Sequence, residues 1–584
     1  MTKREAKVIV FRSAEEMPLL PVSIATTLYN KTGSWRYMRP VYRERTPPCN
    51  DACPAGEDIV AYLGLAADGR YREAWERLRQ ENPFPGVCGR VCPHPCEALC
   101  NRERLGGAIA IHYVERFLSD WAAEQGIPPL TLKPTRSEKI AVIGSGPAGL
   151  ACAYHLALKG YPVTVFEALP LPGGMLRTGI PAYRLPRPVL DREIAAIQAL
   201  GVEIRTGLRL GGNLAWNDLS DYSVIFLSLG QQLSRELGVP GESAEGVLHG
   251  LEFLKRSNLG EAVKLGKRVA VIGGGNTAMD AARSARRLGA EVTLVYRRSR
   301  AEMPAIAEEV QEAEEEGVAF HFLATPVEVL TKASRVRGLR CVRIQLGEPD
   351  ASGRRRPEPI PGSDFELDVD MVIPALGQEA DLTGLPADVV HERGAIRVEL
   401  SGATTRAQAL AGGDVATGFG TVTAAIGSGK RAAIAIDSML RGERLEFPAL
   451  HRNMHVAPRE MLSDVVGFEE LNQAHLKREP RPAGRHRPVE ERLRDFEEVN
   501  LGLDEATVVG EGVRCFSCGT CNRCDNCLVF CPDVSIGRLG DWRSAYPTYP
   551  YFEVIYDYCK GCGICATECP RHVITMEEEL LWKK

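Results

Sequence analysis

Eight cysteines near the C-terminus have a spacing that suits iron ligands. Residues 521–532 read Cys-x-x-Cys-x-x-Cys-x-x-x-Cys-Pro, and residues 559–570 repeat that order. Two copies of the pattern are typical of a module with two [4Fe-4S] clusters, in which the last cysteine of each run ligates the other cluster. Zinc is the alternative for any single Cys-x-x-Cys pair. The expected ligands are Cys521, Cys524, Cys527 and Cys569 for one cluster, and Cys559, Cys562, Cys565 and Cys531 for the second.

The remaining cysteines are also unevenly placed. Cys515 and Cys518 extend the first run upstream; they could shift the ligand register, bind separately or be free, and a structural role is favoured. Six of the 18 cysteines lie at 49–100, and only Cys152 and Cys341 lie between the two groups. Because residues 1–20 show no secretory signal, we expect a reducing, cytoplasmic compartment in which cysteines serve as metal ligands or redox groups.

A glycine-rich loop at 144–149 predicts a dinucleotide site. It follows the apolar run 139–143 and precedes an alanine-rich helical pattern. In G-x-G-x-x-G spacing the first glycine permits a tight turn, the second admits a pyrophosphate, and the third lets the helix pack on the strand. Glu167, about twenty residues on, could accept hydrogen bonds from a ribose; an ordinary turn is the alternative. The candidate residues are Gly144, Gly146, Pro147, Ala148, Gly149 and Glu167.

A later segment, 410–432, favours FAD as that dinucleotide. It resembles the flavin-closing motif of two-dinucleotide flavoproteins, in which an aspartate holds the ribityl chain and a helix N-terminus faces the flavin. The partial positive charge of a helix N-terminus would stabilise a reduced, anionic flavin. A plain helix cap is the alternative role for the aspartate. The candidate residues are Gly413, Asp414, Thr421 and Val422.

A second glycine loop, at 273–278, predicts a nicotinamide dinucleotide site. Its candidate residues are Gly273, Gly275, Asn276 and Thr277. At the end of the next strand pattern, where an acidic residue would hold an unphosphorylated ribose, the chain has Arg297 and Arg298, with Arg300 close behind. Guanidinium groups there can pair with a 2′-phosphate, so NADPH is favoured over NADH. If these arginines form a solvated turn, NADH stays possible.

The surrounding patterns predict an α/β protein with paired FAD and NAD(P)H Rossmann-like domains between two cysteine-rich modules. With 584 residues, a net charge of −5 and no apolar run long enough for a membrane span, the chain suits neither nucleic-acid nor membrane binding. The expected domains are an arm at 1–45, a helical iron-sulfur domain at 46–135, an FAD domain at 136–265 and 376–445, a NAD(P)H domain at 266–375, a linker at 446–508 and a ferredoxin domain at 509–584.

Residues 46–445 resemble the small subunit of bacterial glutamate synthase and its relatives. These relatives include the electron-input half of dihydropyrimidine dehydrogenase and the large subunit of a ferredoxin-dependent transhydrogenase. The matching segments are CNDACPAGEDI at 49–59, GRVCPHPCEALCN at 89–101, GGMLRTGIPAYRLPR at 173–187 and YRRSRAEMPA at 296–305. The resemblance implies a helical iron-sulfur domain docked on the FAD and NAD(P)H domains. It adds Gly174 and Arg184 to the candidate cofactor-binding residues.

The helical domain departs from its relatives, which hold two clusters there. Their first cluster draws on a Cys-x-x-Cys before residue 49, where this chain has RPVYRERTPP, so that cluster is expected to be lost or remodelled. The ligands that match the second cluster are Cys53, Cys92, Cys96 and Cys100; Cys49, Cys88 and Glu115 are left as partial ligands. Together with the two clusters that the C-terminal spacing predicts, this gives three expected [4Fe-4S] clusters in the whole chain.

The order nicotinamide, flavin and cluster predicts a converter between two-electron and one-electron carriers, with no catalytic acid or base. An idle flavin half that only anchors a wiring module is the competing hypothesis, and the intact glycine loops argue against it. The stretch NKTGSWRYMRPV at 30–41 resembles the delta subunit of 2-oxoacid:ferredoxin oxidoreductases, which favours a thiamine-dependent 2-oxoacid oxidoreductase as partner. A chance turn around a buried Trp35 is the other interpretation. Alternative assignments are an electron-transfer partner of dissimilatory sulfite reductase and a glutamate synthase small subunit.

Overall fold

The computed structural model describes residues 12–16, 31–350, 353–418, 420–447, 464–539 and 551–579. The chain divides into two units. One comprises Met1–Pro47, Asp464–Lys477 and Phe516–Lys584, and the other comprises Pro48–Ser463 and Arg478–Cys515. Among the described residues, no helix combines the length and the apolar character that crossing a membrane would need.

The first unit joins the N-terminal arm to the C-terminal cysteine module. Strand β1 (Met38–Tyr42) pairs antiparallel with the last strand, Ile574–Glu578, and a second antiparallel pair joins Ile536–Arg538 to Phe552–Val554. Arg36 is buried; its Nε donates to Glu579 at 2.6 Å and its Nη1 to the carbonyl of Cys559 at 3.0 Å. Trp35 is 66% exposed, so the arm is not a turn around a buried tryptophan.

Six helices form the cysteine-rich start of the second unit. They bury apolar residues in a shared core, as the amphipathic pattern predicts for residues 59–80. The helices are α1 (Pro48–Ala52), α2 (Ile59–Ala67), α3 (Tyr71–Glu81), α4 (Pro85–Val91), α5 (Pro95–Ala98) and α6 (Ile111–Glu124).

A five-stranded parallel sheet forms the core of the expected FAD domain. Its strands are β2 (Ile140–Ile143), β3 (Val163–Phe166), β4 (Glu203–Arg205), β5 (Val224–Leu227) and, from late in the sequence, β18 (Ala409–Ala411), in the order β18-β5-β2-β3-β4. Helices α7 (Pro147–Leu158), α8 (Met175–Thr178) and α9 (Arg187–Gln198) lie between these strands in sequence. Loops that follow parallel strands meet at one sheet edge, where nucleotides bind in such folds.

A second parallel sheet forms the expected nicotinamide domain, between the two parts of the first. It contains β7 (Arg268–Ile272), β8 (Glu291–Tyr296), β9 (Ala319–Phe322) and β14 (Met371–Pro374), in the order β14-β7-β8-β9. Helices α10 (Gly250–Asn258), α11 (Asn276–Arg287) and α12 (Ala307–Glu315) accompany it. An antiparallel sheet of β10 (Ala324–Lys332), β11 (Arg335–Pro349), β12 (Arg355–Pro359) and β13 (Phe365–Leu367) is inserted before β14.

Short elements complete the two domains. They are β6 (Leu233–Ser234), which pairs with β15 (Gln378–Glu379), the hairpin β16 (His391–Glu392) and β17 (Ala395–Ile396), and helices α13 (Asp414–Thr417) and α14 (Val422–Arg441). The paired α/β architecture confirms the predicted fold class.

The described part of the expected linker is packed rather than extended. It contains β19 (Arg485–His486), β20 (Asn500–Gly502) and the helices Val489–Arg492 and Glu505–Arg514. Arg116 of α6 donates to the carbonyl of Asn500 at 2.6 Å, and Arg90 of α4 pairs with Glu498 at 2.6 Å. Charged residues of this segment therefore bind partners on the helical domain and on α12, where Arg492 pairs with Glu315 at 2.9 Å.

Candidate functional site

One large cavity lies at the carboxyl ends of strands β2, β3 and β5. Its volume is about 900 Å³, near the upper end of the usual range for small-molecule sites. Gly144, Glu167 and Ser228 line it from those three strand ends, and Asn276 and Thr277 line it from the N-terminus of α11. Both predicted dinucleotide loops therefore face a common cavity.

The first loop has two glycines that packing requires and one that leaves space for a ligand. Gly144 has φ +102°, and a Cβ there would lie 2.4 Å from the carbonyl oxygen of Ser228. A Cβ at Gly149 would lie 2.0 Å from the carbonyl oxygen of Gly144. A Cβ at Gly146 would meet no atom within 4 Å, and this residue lines the cavity with Pro147 and Ala148. This open space at Gly146 fits the close approach of a pyrophosphate.

Glu167 is buried at the end of β3 and fixes the same loop. Its Oε2 accepts hydrogen bonds from the backbone N–H of Ser145 at 2.9 Å and from the Ser145 hydroxyl at 2.5 Å. Its Oε1 accepts from the N–H of Leu169 at 2.8 Å. Glu167 lines the cavity beside the loop, which is where a ribose is expected.

The flavin-closing segment reaches the cavity from β18. Gly413 has φ +70°, and Asp414 lines the cavity while its side chain caps no helix. Burial raises the pKa of Asp414 to about 6, and the backbone N–H of Gly420 partly opposes that rise. The cap of α14 is Thr421, whose Oγ1 accepts from the N–H of Ala424 at 3.2 Å. Because Thr421 and Val422 line the cavity, the positive end of the α14 dipole faces it.

The second loop repeats this geometry at the start of α11. Gly273 has φ +147°, and a Cβ at Gly274 would lie 2.4 Å from the ring of Tyr296. A Cβ at Gly275 would meet nothing within 4 Å. The Oδ1 of Asn276 accepts from the N–H of Ile306 at 3.0 Å, which ties the loop to the segment before α12. The open position is again the second glycine of the phosphate-binding pattern.

The arginines after β8 have different surroundings. Arg298 is buried; its Nη2 donates to Asp350 at 2.7 Å, and its Nε donates to the carbonyl of Arg355. Arg300 forms an ion pair with Glu314. Arg297 is exposed at the end of the strand. Of the three, Arg297 is best placed to meet a phosphate from solvent, whereas the charge of Arg298 is already neutralised.

Gly174 and Arg184 lie on the wall of the large cavity. Gly174 has φ +52°, and a Cβ there would lie 2.8 Å from the Cα of Gly146, so the two loops are in close contact. Arg184 is buried and pairs with Asp280 of α11 at 2.9 Å and with Glu309 of α12 at 2.6 Å. Arg184 thus links the flavin and nicotinamide domains.

The C-terminal cysteines form the two expected groups. A small cavity in the first unit is lined by Cys531 together with Cys559, Cys562 and Cys565. In the other group, the thiols of Cys524, Cys527 and Cys569 all lie near Cys521, and burial followed by these neighbours raises the pKa of Cys521 to about 12. Each run therefore contributes its last cysteine to the opposite group. Four soft thiolate ligands in each group fit a [4Fe-4S] cluster.

The helical domain has one small cavity of similar character. Cys53, Cys92, Cys96 and Glu115 line it. Cys100, which the sequence groups with these three, does not line it. The Sγ of Cys92 lies 3.5 Å from the Oγ1 of Thr423 on α14.

The thiol cavity adjoins the large cavity. Val91 and Pro93, on either side of Cys92, both line the large cavity. Thr423 lines the thiol cavity, and its neighbour Val422 lines the large one. A group held by Cys92 would therefore lie next to a group bound at the N-terminus of α14.

Comparison with known proteins agrees with this architecture. The family model for pyridine nucleotide-disulphide oxidoreductases matches residues 138–429. A model for dihydropyrimidine dehydrogenase domain II, with a 4Fe-4S cluster, matches 42–127, and a 4Fe-4S binding domain matches 552–575. The small chain of NADPH glutamate synthase from Halomonas elongata is 38% identical over 67% of this chain and 87% of its own length. The chain belongs to the glutamate synthase small subunit-like family of pyridine nucleotide-disulphide oxidoreductases.

Other members of the family match more of the chain. The beta subunit of an NADP(+)-dependent formate dehydrogenase from Moorella thermoacetica is 44% identical over 81% of this chain and 70% of its own length. The beta subunit of an NADPH-Fe(3+) oxidoreductase from Geobacter sulfurreducens is 39% identical over 81% of this chain and 75% of its own length.

The structure of Mycobacterium tuberculosis FprA in complex with NADPH aligns with a TM-score of 0.46 and 21% identity, over 54% of this chain and 88% of that one.

Membership of this family confirms the predicted fold class and the prediction of an FAD-dependent NAD(P)H oxidoreductase with iron-sulfur domains. Sequence reasoning missed two residues of the thiol cavity. One is Thr423, whose position two residues after the cap of α14 could have been noted. The other is Glu57, which shares Asn82 with Glu115: the Nδ2 of Asn82 donates to Glu57 at 2.8 Å and to Glu115 at 2.9 Å.

Proposed function

We propose that this chain moves electrons between NADPH and a partner redox subunit, through FAD, a [4Fe-4S] cluster in the helical domain and two clusters in the C-terminal module. The observation that supports it best is the placement of Val91, Cys92 and Pro93. Their alternation between two cavities would leave a flavin and a cluster in adjacent sites, as transfer of single electrons requires.

FAD, when bound, exchanges a hydride with a nicotinamide and single electrons with iron-sulfur clusters. The protein's part is to bind and orient. The loop at Gly144–Gly149 and Glu167 would hold the pyrophosphate and the adenosine ribose, and Asp414 would accept a hydrogen bond from the ribityl chain. The N-terminus of α14 would stabilise negative charge on the flavin ring. No side chain needs to act as an acid or a base.

The nicotinamide dinucleotide is proposed to be NADPH. Arg297 is exposed at the strand end where the 2′-phosphate is expected, and no acidic residue occupies that position. The names of two relatives, an NADP(+)-dependent formate dehydrogenase subunit and an NADPH-Fe(3+) oxidoreductase subunit, also favour the phosphorylated cofactor.

The cluster in the helical domain is proposed to use Cys53, Cys92 and Cys96. Glu115 is preferred to Cys100 as the fourth ligand, because Glu115 lines the same cavity and Cys100 does not. The clusters of the C-terminal module are proposed to use the two groups of thiols that the sequence predicts. Thiolate ligands in this number suit the cytoplasm, which is the proposed compartment.

The partner is proposed to be a separate catalytic subunit, because two relatives are named as beta subunits, one of a formate dehydrogenase and one of an NADPH-Fe(3+) oxidoreductase. A thiamine-dependent 2-oxoacid oxidoreductase is one candidate, suggested by the arm. In support, β1 of the arm is part of the same sheet as the last strand of the cysteine module.

A formate-oxidising catalytic subunit is the second candidate. The relative with 44% identity is a subunit of an NADP(+)-dependent formate dehydrogenase. That match extends over 503 residues and so has more weight than the short arm.

The purified chain can be tested anaerobically for NADPH-dependent reduction of methyl viologen and of chelated Fe(III), with flavin and iron measured in the same sample. We expect bound FAD and turnover with NADPH. A chain with full flavin and iron that reduces neither acceptor, whether NADPH or NADH is supplied, would refute the proposal. Capture of the tagged chain with its native partner would then separate the candidates, since thiamine-enzyme subunits support the first and a formate-oxidising subunit the second.

A further inference from the structure

Residues 481–500 contact two domains of the second unit and are here called the strap. At its start, the guanidinium of Arg481 pairs with Glu97 of the helical domain at 2.6 Å. At its end, the Nδ2 of Asn500 donates to the hydroxyl of Tyr113 on α6 at 2.9 Å. Both ends of the strap are therefore fixed on the helical domain.

The middle of the strap contacts helix α12 of the nicotinamide domain. Arg492, which is 6% exposed, pairs with Glu315 at 2.9 Å. The Nε2 of His486 lies 3.2 Å from the Oε1 of Glu312. Because these two carboxylates are three residues apart on α12, they lie on one face of that helix. The strap thus connects the nicotinamide domain to the helical domain.

Polar contacts join the flavin and nicotinamide domains directly. Arg184 of the flavin domain pairs with Asp280 of α11 at 2.9 Å, and the hydroxyl of Tyr183 donates to the carbonyl of Asp280 at 3.3 Å. The chain enters and leaves the nicotinamide domain beside the two-residue strands β6 and β15. Polar interfaces between domains permit relative motion, and short connecting segments can serve as hinges. We therefore expect the strap to limit rotation of the nicotinamide domain about these strands.

Helix α12 is tied to the second dinucleotide loop. The N–H of Ile306, the residue before α12, donates to the Oδ1 of Asn276 at 3.0 Å. Asn276 lines the large cavity together with Gly146 of the first loop. Glu312, which faces His486 of the strap, also pairs with the fully buried Arg283 of α11 at 2.7 Å. The position of α12 therefore affects where the nicotinamide loop lies relative to the flavin loop.

We propose that the strap holds the nicotinamide domain in the orientation needed for hydride transfer, with His486 and Arg492 as positioning residues. This rests on the proposed function, in which a hydride, with its two electrons, leaves NADPH and reduces the bound flavin. Reacting atoms must lie about 3–3.5 Å apart for such a transfer, and a displacement of about 1 Å can slow a reaction about a hundredfold. Both residues act through α12, since they lie away from the residues that line the cavity.

The test is stopped-flow reduction of the flavin by NADPH in the full chain, purified anaerobically. Arg492→Glu places a carboxylate opposite Glu315, so we expect the limiting rate of flavin reduction to fall at least about tenfold. The Kd for NADPH should change little, because the dinucleotide loop itself stays intact. Glu315→Arg should slow the reduction similarly. The variant that combines both substitutions restores opposite charges and should recover most of the wild-type rate.

The matched control is Arg494→Glu, which makes the same charge change at an exposed position of the strap. It should keep the wild-type rate. Hydrogen exchange measures the contact without turnover: peptides from α12 should exchange faster in Arg492→Glu than in the wild type, and Arg494→Glu should not change them. Bound FAD per chain reports whether each variant has folded.

A wild-type rate of flavin reduction in a folded Arg492→Glu variant would overturn the proposal. A combined variant that stays as slow as Arg492→Glu would overturn it too, because the loss would then not depend on the contact with α12. If Arg492→Glu does not retain flavin, Glu315→Gln at the more exposed end of the same pair replaces it, and a wild-type rate there would count equally against the strap. A folded wild-type chain whose flavin is not reduced by NADPH would instead refute the proposed function.

Discussion

Two glycines of the loop after β2 should respond in opposite ways to a single added methyl group. Gly146 has φ −71°, and its Cβ would meet no atom within 4 Å. Alanine there should stabilise the flavin-free protein by about 0.4–1 kcal/mol, because it restricts only the unfolded chain. The same methyl would occupy the place expected for the pyrophosphate, so flavin affinity should fall at least about tenfold, or about 1.4 kcal/mol.

Gly149→Ala should do the reverse. Its Cβ would lie 2.0 Å from the carbonyl oxygen of Gly144, so the strand and α7 must separate. Overpacking of this kind costs about 1–3 kcal/mol, and the flavin-free protein should unfold at a lower temperature than the wild type.

Thermal unfolding of the flavin-free proteins and flavin titration by fluorescence quenching measure the two effects separately. Gly275→Ala is the matched control, because it also adds a methyl to open space but in the second loop. It should leave flavin affinity unchanged and raise the KM for the nicotinamide cofactor. Wild-type flavin affinity in Gly146→Ala, together with weakened flavin binding in Gly275→Ala, would refute the assignment of the two loops.

Three further predictions concern individual side chains. Arg297→Ala should raise the KM for NADPH about tenfold with little change in the KM for NADH, as steady-state kinetics can show. Arg298→Ala should mainly lower thermal stability, because it breaks a buried ion pair. Equal effects of Arg297→Ala on both cofactors would contradict this prediction. The buried hydroxyl of Tyr42 faces the Cys527 thiol. In a redox titration, Tyr42→Phe should lower the midpoint potential of the cluster held by Cys527 by about 20–60 mV, the equivalent of about 0.5–1.5 kcal/mol for one electron. An unchanged potential would argue against this contact. Burial raises the pKa of Asp414 to about 6, so between about pH 4 and 6 the folded, flavin-free protein binds one more proton than the unfolded chain. The free energy of unfolding should therefore fall as pH rises through that window. Asp414→Asn should flatten this part of the plot of stability against pH.

Local patterns predicted most of the architecture. The strand, glycine loop and helix at 139–158 lie within one short stretch, and neighbouring atoms impose a steric reason for glycine at Gly144 and at Gly149. The doubled cysteine runs likewise determine which thiols meet, because a tight loop can supply only three ligands to one cluster. Such features depend on residues close in sequence, so their geometry follows from spacing alone.

Contacts between distant segments were beyond sequence reasoning. Arg298 donates to Asp350, which directly follows strand β11 of the inserted antiparallel sheet, so Arg298 is not free to bind a phosphate. The choice between Cys100 and Glu115 as the fourth ligand depends on how α6 packs against α5. The spacing of residues along the sequence does not report that packing. The sequence predicts a linker at 446–508, but Arg481 pairs with Glu97 of the helical domain at 2.6 Å and Arg492 pairs with Glu315 of α12 at 2.9 Å.

The most direct test of the account is a single-turnover reaction of the chain with chemically reduced clusters and NADP+, followed at 340 nm and by low-temperature EPR. The measurement is made on protein depleted of flavin and again after FAD has been restored. The account predicts that NADP+ reoxidises the clusters and forms NADPH only when FAD is bound, since the proposed flavin site adjoins both the nicotinamide loop and the thiol cavity. Equal rates with and without flavin, or no NADPH from the restored protein, would contradict it.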